Sequence, residues 1–322
     1  MKRTLLILAL FLSGCGLTVQ QKADTSRIAK ATSAAGTFST DHLVDLRSAI
    51  IRLQVASYKI DPKAKCVDTP AGPCVIPLDR GISAKDMEAR LAVSQALAAY
   101  GNALDALINA DRSSEILNAA NELGDAVGSA ADKSASLTLN QDDLNAISAL
   151  TALAGRWHLE HKRKEALLAL AKGYAQTVHQ VTPLLERDFA LQWNSPCLST
   201  FRDGPTKDAP NKGTSKEAGI LDVYCRAAYT LKRKAKRVID NTATEHDIRV
   251  DAVDSYMLAD NAQTNGALLS EKGVALLKQL DKSAAELEKV ATDNKYQSKD
   301  IKQLGKDVKT LTSSLKLLIH AQ

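Results

Sequence analysis

Aromatic residues, glycine and proline are scarce in this 322-residue chain, and their scarcity excludes several classes of protein. Glycine and proline together number 24, too few for a loop-rich β-sandwich or a low-complexity chain. No run of 18 apolar residues occurs, so we expect no helix that spans a bilayer. The net charge of +5 is too small, and the 45% of hydrophobic residues too large, for a disordered protein.

The motifs of common catalytic sites are also missing. HExxH, GxSxG and GxxxxGK[ST] do not occur. Ser313-x-x-Lys316 matches the SxxK pattern of penicillin-binding proteins, but their companion SDN and KTG elements are absent. Asp142 and Asp143 point about 100° apart on a helix, which is typical of first-turn partners of the helix dipole. We therefore expect a protein with no enzymatic activity and no cofactor.

What the chain does contain begins with an export signal. Lys2 and Arg3 precede an apolar stretch of nine residues, Thr4–Leu12, which is too short to span a membrane of ~30 Å. The segment Leu12-Ser13-Gly14-Cys15 then resembles the lipobox of bacterial lipoproteins. The alternative is an ordinary secretory signal with a chance cysteine.

The lipobox resemblance implies removal of residues 1–14 and attachment of acyl chains such as palmitate to Cys15. Two or three acyl chains anchor firmly, since each buried CH₂ contributes ~0.8 kcal/mol. Gly16 is not the Asp that tends to retain such proteins at the inner membrane, so the resemblance favours the outer membrane. The mature chain would carry 40 basic and 37 acidic residues. This balance is nearly neutral, so global charge selects no partner.

Four further cysteines, Cys66, Cys74, Cys197 and Cys225, fit an exported protein with disulfides. Of the three possible pairings we favour Cys66–Cys74 and Cys197–Cys225, because each pair brackets a loop rich in turn residues. A zinc site would need the closer spacing of a CxxC motif. The cysteines are therefore interpreted as structural.

Alanine and leucine supply 92 residues, and apolar residues recur at helical spacing along most of the chain. No convincing strand is found. Residues 15–38 are polar and weakly patterned, and we expect them to form a flexible tether after the lipid anchor. Residues 39–322 are expected to form a single helical domain.

The predicted helices occupy residues 39–60, 83–133, 140–193, 216–241 and 244–291, with a possible kink near Pro183. Heptad spacing over 269–320 fits one continuous helix or two helices. The expected fold is all-α: an elongated antiparallel bundle of five or six helices with coiled-coil-like packing. The loops over 61–82 and 194–214 would each be stapled by a disulfide.

His158, His161 and Glu165 are the candidate metal ligands. On a continuous helix they would lie within an arc of about 60°, and a metal could take further ligands from another helix. Lys162, Arg163 and Lys164 follow directly and would repel a cation. Rim histidines with ordinary hydrogen bonds are the favoured interpretation.

The densest charge run is Lys232–Arg237, where five of six residues are basic. The candidate anion-binding face consists of Arg226, Lys232, Arg233, Lys236 and Arg237. It is either a solvated helix face or a site for anionic lipid, lipopolysaccharide phosphates or an acidic protein. Nucleic acid is not expected, because no aromatic residues alternate with the basic ones to stack bases.

These observations predict a lipid-anchored envelope protein that acts by binding. We expect it to sit at the outer membrane with its body in the periplasm, as a scaffold for another envelope protein. The alternatives are a periplasmic inhibitor or immunity lipoprotein against a toxin or hydrolase, and a metal-binding bundle. The preorganised loops at 61–82 and 194–214 are the expected contact regions.

Overall fold

The computed structural model describes residues 17–61, 82–134, 137, 139–199 and 219–292, with the backbone of 67–69 and 72–75. Seven helices lie in this part: α1 Val19–Lys59, α2 Ala84–Asn109, α3 Ser113–Lys133, α4 Gln141–Ala154, α5 Glu160–Phe189, α6 Ile220–Asp240 and α7 His246–Thr292. The all-α class is confirmed. The described part holds seven helices where five or six were expected for the whole chain.

A short antiparallel ribbon, which the sequence analysis did not anticipate, lies between α1 and α2. Strand β1 (Val67–Thr69) pairs with β2 (Gly72–Val75), with Val67 opposite Val75 and Thr69 opposite Gly72. Whether 269–320 is one helix or two lies outside the described residues beyond Thr292.

Helix α1 begins twenty residues earlier than expected. Thr18 and Gln21 form a capping box, in which each side chain hydrogen-bonds to the backbone N–H of the other at 3.1 and 2.9 Å. Ile28, Ala29 and Ala35 are then fully buried. The prediction of a flexible tether up to residue 38 is therefore corrected for residues 19–38, because these side chains form part of a packed core.

Two helices that the periodicity predicted as continuous are divided. The predicted helix over 83–133 breaks at residues 110–112, and the one over 140–193 breaks at 155–159. Pro183 lies inside α5 without ending it. Arg163, which is 8% exposed, contacts both breaks. Its guanidinium donates hydrogen bonds to the backbone carbonyls of Leu107, Ile108 and Ala110 at the first break and of Trp157 at the second.

The chain forms two compact units in place of the single domain expected over 39–322. Of the described residues, unit 1 comprises 17–40, 88–134, 137, 139–184 and 275–292, and unit 2 comprises 41–61, 82–87, 185–199 and 219–274. Leucine, alanine and tyrosine side chains dominate the described core of unit 1, whereas the core of unit 2 also contains Phe189 and the half-cystine Cys225.

In unit 1, α1 and α2 approach each other at two glycines. A Cβ atom on Gly36 would lie 2.5 Å from the Ala98 nitrogen, and one on Gly101 would lie 2.7 Å from the Ala29 oxygen. The absence of a side chain at these two glycines therefore permits the close approach of the helices. At Gly128 in α3, by contrast, a Cβ atom would meet open space.

A buried polar network also belongs to unit 1. Asp143 is 1% exposed and accepts hydrogen bonds from Tyr100 and from Thr177, the latter at 3.0 Å. It also completes a capping box with Asn140 at the start of α4. Burial and the neighbouring Asp143 carboxylate raise the pKa of Tyr100 well above its usual value. Asp143 thus accepts hydrogen bonds that tie α4 to α2 and α5 within unit 1.

Among the described residues, α2 is long and apolar enough to cross a membrane by length and composition alone. However, 67% of its most apolar 18-residue window is buried inside the protein. Core helices pass the same test, so the feature is weak evidence for a membrane span.

Candidate binding site

The expected lipidation site, Cys15, lies outside the described residues, as does the pairing of Cys66 with Cys74. The second expected disulfide is confirmed: Cys197 and Cys225 are bonded, with their Cα atoms 5.5 Å apart. The bond packs against α7 at Gly266, where a Cβ atom would lie 2.6 and 2.8 Å from the two sulfurs. This contact fixes the start of the loop after α5 to unit 2.

The structure does not bring His158, His161 and Glu165 together as a metal-binding group. His158 lies in the turn before α5, so the helical arc assumed from the sequence does not exist. Glu165 accepts a hydrogen bond from Lys162 at 2.6 Å, which lowers the pKa of its carboxyl group. The described part of the chain contains no group of three His, Cys, Asp or Glu side chains that could hold a metal ion.

The predicted anion-binding residues Arg226, Lys232 and Lys236 each form an ion pair with a carboxylate of unit 2. Arg226 pairs with Asp222 at 2.7 Å, Lys232 with Asp260 at 2.5 Å and Lys236 with Asp240 at 3.2 Å. Asp222 is fully buried, so Arg226 neutralises an internal carboxylate. The charge run Lys232–Arg237 is therefore not a uniform cationic face.

Arg233 and Arg237 line a groove of about 260 Å³ together with Tyr229, Thr230 and Lys234. Arg233 and Arg237 are exposed and stand one helical turn apart. The Arg233 guanidinium lies 5.6 Å from the centre of the Tyr229 ring, within reach of a cation–π interaction.

Lys234 belongs to this groove, although sequence reasoning did not select it as a site residue. Its ammonium pairs with Asp61 at 2.6 Å and donates a hydrogen bond to the Ser57 hydroxyl at 3.2 Å. It also lies 5.9 Å from the centre of the Tyr58 ring. These partners come from the end of α1, some 175 residues earlier in the chain. No local pattern in the sequence signals such a contact.

A second surface feature, also missed from the sequence, lies near the start of α7. Val250, Val253 and Met257 are 48%, 48% and 54% exposed and follow one face at i, i+3 and i+7. Three exposed acidic residues, Asp247, Asp251 and Asp254, follow one edge of this stripe. The spacing of these apolar residues was the available signal, but only the structure shows that nothing described covers them.

The Trp193 side chain is 56% exposed and lies at the start of the loop that follows α5. Its neighbours Gln192 and Asn194 both accept hydrogen bonds from Arg226, at 3.1 and 3.0 Å. The Cys197–Cys225 bond restrains the same segment. A large aromatic side chain is thus presented on restrained backbone, while residues 200–214 of the predicted contact loop lie outside the described residues.

Comparison with known proteins adds no assignment, since no family model, curated protein or solved structure matches this chain.

Proposed function

We propose that the chain is a lipid-anchored, non-enzymatic binding protein of the bacterial cell envelope. Acyl chains on Cys15 would hold it at the outer membrane, with the helical body in the periplasm. The signal segment, the lipobox and the even set of later cysteines support this assignment. The elongated antiparallel bundle with coiled-coil-like packing and the Cys66–Cys74 staple belong to the same proposal.

The exposed stripe on α7 is the observation that carries the binding role. Contiguous exposed apolar side chains on a helix mark interaction surfaces more often than isolated ones do. The acidic edge formed by Asp247, Asp251 and Asp254 favours a partner with basic residues beside its own apolar stripe. We therefore assign the surface to a basic amphipathic segment of another envelope protein, bound as a helix against a helix.

The test is site-specific photocrosslinking in cells. A crosslinker at Val253 should capture a protein whose attached peptide is amphipathic and basic. The matched position is Val44, an exposed valine of α1 in unit 2, where the same crosslinker should not capture it. Replacing Met257→Lys should abolish the crosslink at Val253, because a lysine places charge in an apolar contact.

Two further outcomes are informative. The full chain with Cys15→Ser should leave the membrane fraction and lose palmitate labelling; retention of the label would refute lipid attachment at Cys15. Equal capture from Val253 and Val44, or a captured peptide without basic residues, would contradict the assigned surface. A captured toxin or hydrolase bound tightly would replace the scaffold role by that of an inhibitor.

A further inference from the structure

The folded body of unit 1 begins almost immediately after Cys15. Leu17 is 8% exposed, and Thr18 starts α1 through its capping box with Gln21. Two residues of fully extended chain span at most ~7 Å, so the Cα atom of Cys15 cannot lie further than that from the Cα atom of Leu17. Whatever is attached to Cys15 is therefore held close to the start of α1.

Other segments of unit 1 lie at the same end of the unit as the start of α1. The ammonium of Lys22 donates to Glu160, the first residue of α5, at 2.9 Å. Asn109, the last residue of α2, donates to the second turn of α1 at 3.5 Å. Arg163 joins the end of α2 to Trp157 in the turn before α5. The surface that these segments form is called the anchor-proximal end below, and it consists of residues 17–22, 109–112 and 155–160.

We propose that the anchor-proximal end of unit 1 lies directly against the lipid headgroups of the membrane. This inference rests on the proposed attachment of acyl chains to Cys15. Those chains must enter the hydrocarbon region, which the headgroup layer covers by only ~5–7 Å on each side. Because the link from Cys15 to Leu17 spans at most ~7 Å, the folded unit begins where the headgroups end.

Two apolar side chains of the anchor-proximal end suit the boundary between water and lipid. Val19 is 87% exposed and stands only four residues after Cys15, so its side chain lies within reach of the lipid. Trp157 is partly exposed. Tryptophan favours membrane interfaces because its apolar ring carries one polar N–H group.

The charges at this end nearly balance. Lys22, Arg112 and Arg156 are accompanied by Asp111 and Glu160, and exposed arginines can donate hydrogen bonds to lipid phosphates. The short link and the apolar side chains therefore carry the contact, and anionic lipid is not required for it. Vesicles of zwitterionic phosphatidylcholine are a sufficient probe.

The test measures which end of unit 1 lies near lipid in the full, acylated chain reconstituted into such vesicles. Trp157 and Trp193 are replaced by phenylalanine, and a single tryptophan is introduced as Val19→Trp or as Leu139→Trp. Part of the phosphatidylcholine carries bromine on the upper part of its acyl chains, which quenches tryptophan fluorescence only at short range. The Trp193→Phe chain, which keeps Trp157, gives a third measurement without a new side chain.

Leu139 is the matched control position. It is also an exposed apolar residue of unit 1, at 44%. It precedes α4, whose 14 residues place it ~20 Å from the turn at 155–159.

We expect the fraction of fluorescence quenched to be at least about twofold greater in Val19→Trp than in Leu139→Trp, because the headgroup layer is thin compared with the length of α4. Trp157 should also be quenched more than the tryptophan at position 139. Insertion of about 20 glycine and serine residues after Gly16 should bring the values together, since such a linker spans ~25 Å on average.

Equal quenching in Val19→Trp and Leu139→Trp, in chains that carry palmitate, would overturn this inference and leave the lipid attachment intact. Quenching of Val19→Trp that is unchanged by the linker would overturn the role of the short link. Absence of palmitate from the parent chain would instead refute the proposed attachment at Cys15, and this inference with it. Thermal unfolding followed by circular dichroism establishes that each variant keeps the parent fold.

Discussion

Arg163 is expected to be one of the most important single side chains for the stability of unit 1. It is 8% exposed, and its guanidinium donates to the carbonyl oxygens of Leu107, Ile108 and Ala110 at 3.0 to 3.1 Å. Its Nε also donates to the Trp157 carbonyl at 3.0 Å. The side chain therefore caps the last turn of α2 and holds the turn before α5.

The expected loss on Arg163→Met follows from these four hydrogen bonds. Methionine keeps most of the aliphatic volume but leaves the carbonyls without their charged donor, each costing ~1 kcal/mol or more. Water will reach some of them, and the contributions are not additive, so we expect a net loss of about 3–4 kcal/mol. For a chain of this size that corresponds to a decrease in Tm of roughly 10 °C. In an Arg163→Lys variant the single side-chain nitrogen cannot reach all four acceptors, so this variant should recover less than half of the stability lost in Arg163→Met.

Trp157 provides a local probe for the measurement. In a Trp193→Phe background its fluorescence reports the turn that Arg163 holds, since the chain has 2 tryptophans. Denaturant unfolding followed at Trp157 separates unit 1 from the rest of the chain, where two-state behaviour is not assured. Hydrogen exchange should also accelerate at the C-terminal turn of α2.

The matched control is Arg156→Met, which removes the same side chain from an exposed position seven residues earlier. It should change stability by no more than ~0.5 kcal/mol. An Arg163→Met variant within 1 kcal/mol of the parent, or indistinguishable from Arg156→Met, would refute the capping role of Arg163.

Two further predictions concern α1 and α3. Gly36→Ala should destabilise the protein by about 1–3 kcal/mol in thermal unfolding, because its Cβ would lie 2.5 Å from the Ala98 nitrogen. Gly128→Ala should stabilise the protein by up to ~1 kcal/mol, because the position is open. Stabilisation by both substitutions would disprove the close helix contact. Burial lowers the pKa of His42 to about 4. Because unfolded histidine titrates near 6.5, unfolding free energy should fall by up to about 3 kcal/mol as pH falls from 6.5 to 4. His42→Gln should remove that dependence, while His179→Gln, at an exposed site, should preserve it; an unchanged pH profile in His42→Gln would contradict the prediction.

Local sequence signals predicted the features that depend on local physics. The predicted helices over 83–133 and 140–193 begin at Ser83 and Asn140, residue types that favour N-caps, and both side chains accept backbone hydrogen bonds in the structure. The pairing of Cys197 with Cys225 followed from the loop between them. Helical periodicity gave the all-α class, because Ala- and Leu-rich faces repeat along most of the chain.

Features that depend on distant contacts were not predictable in the same way. Arg163 donates to carbonyls at the end of α2 and in the turn after α4, whereas the sequence analysis considered it only as one of three residues that would repel a metal cation. The first twenty residues of α1 bury polar side chains such as Asp24, Thr25 and Thr32 beside small alanines. This mixture gives little amphipathic signal, and the Thr18–Gln21 capping box was overlooked. Periodicity reports which face of a helix is apolar, but not where another part of the chain interrupts that helix.

The basic residues of this chain show why charge counts cannot identify a binding site by themselves. In the sequence, Arg163 and Arg226 resemble Arg233 and Arg237, since each stands among other charged residues on a helix. In the structure, Arg163 hydrogen-bonds to buried carbonyls and Arg226 pairs with the buried Asp222. Their charges are committed to the fold, so a ligand would have to displace those contacts. Arg233 and Arg237 are exposed and line a concave surface, and the run of charges in the sequence does not distinguish their positions from those of Arg163 and Arg226.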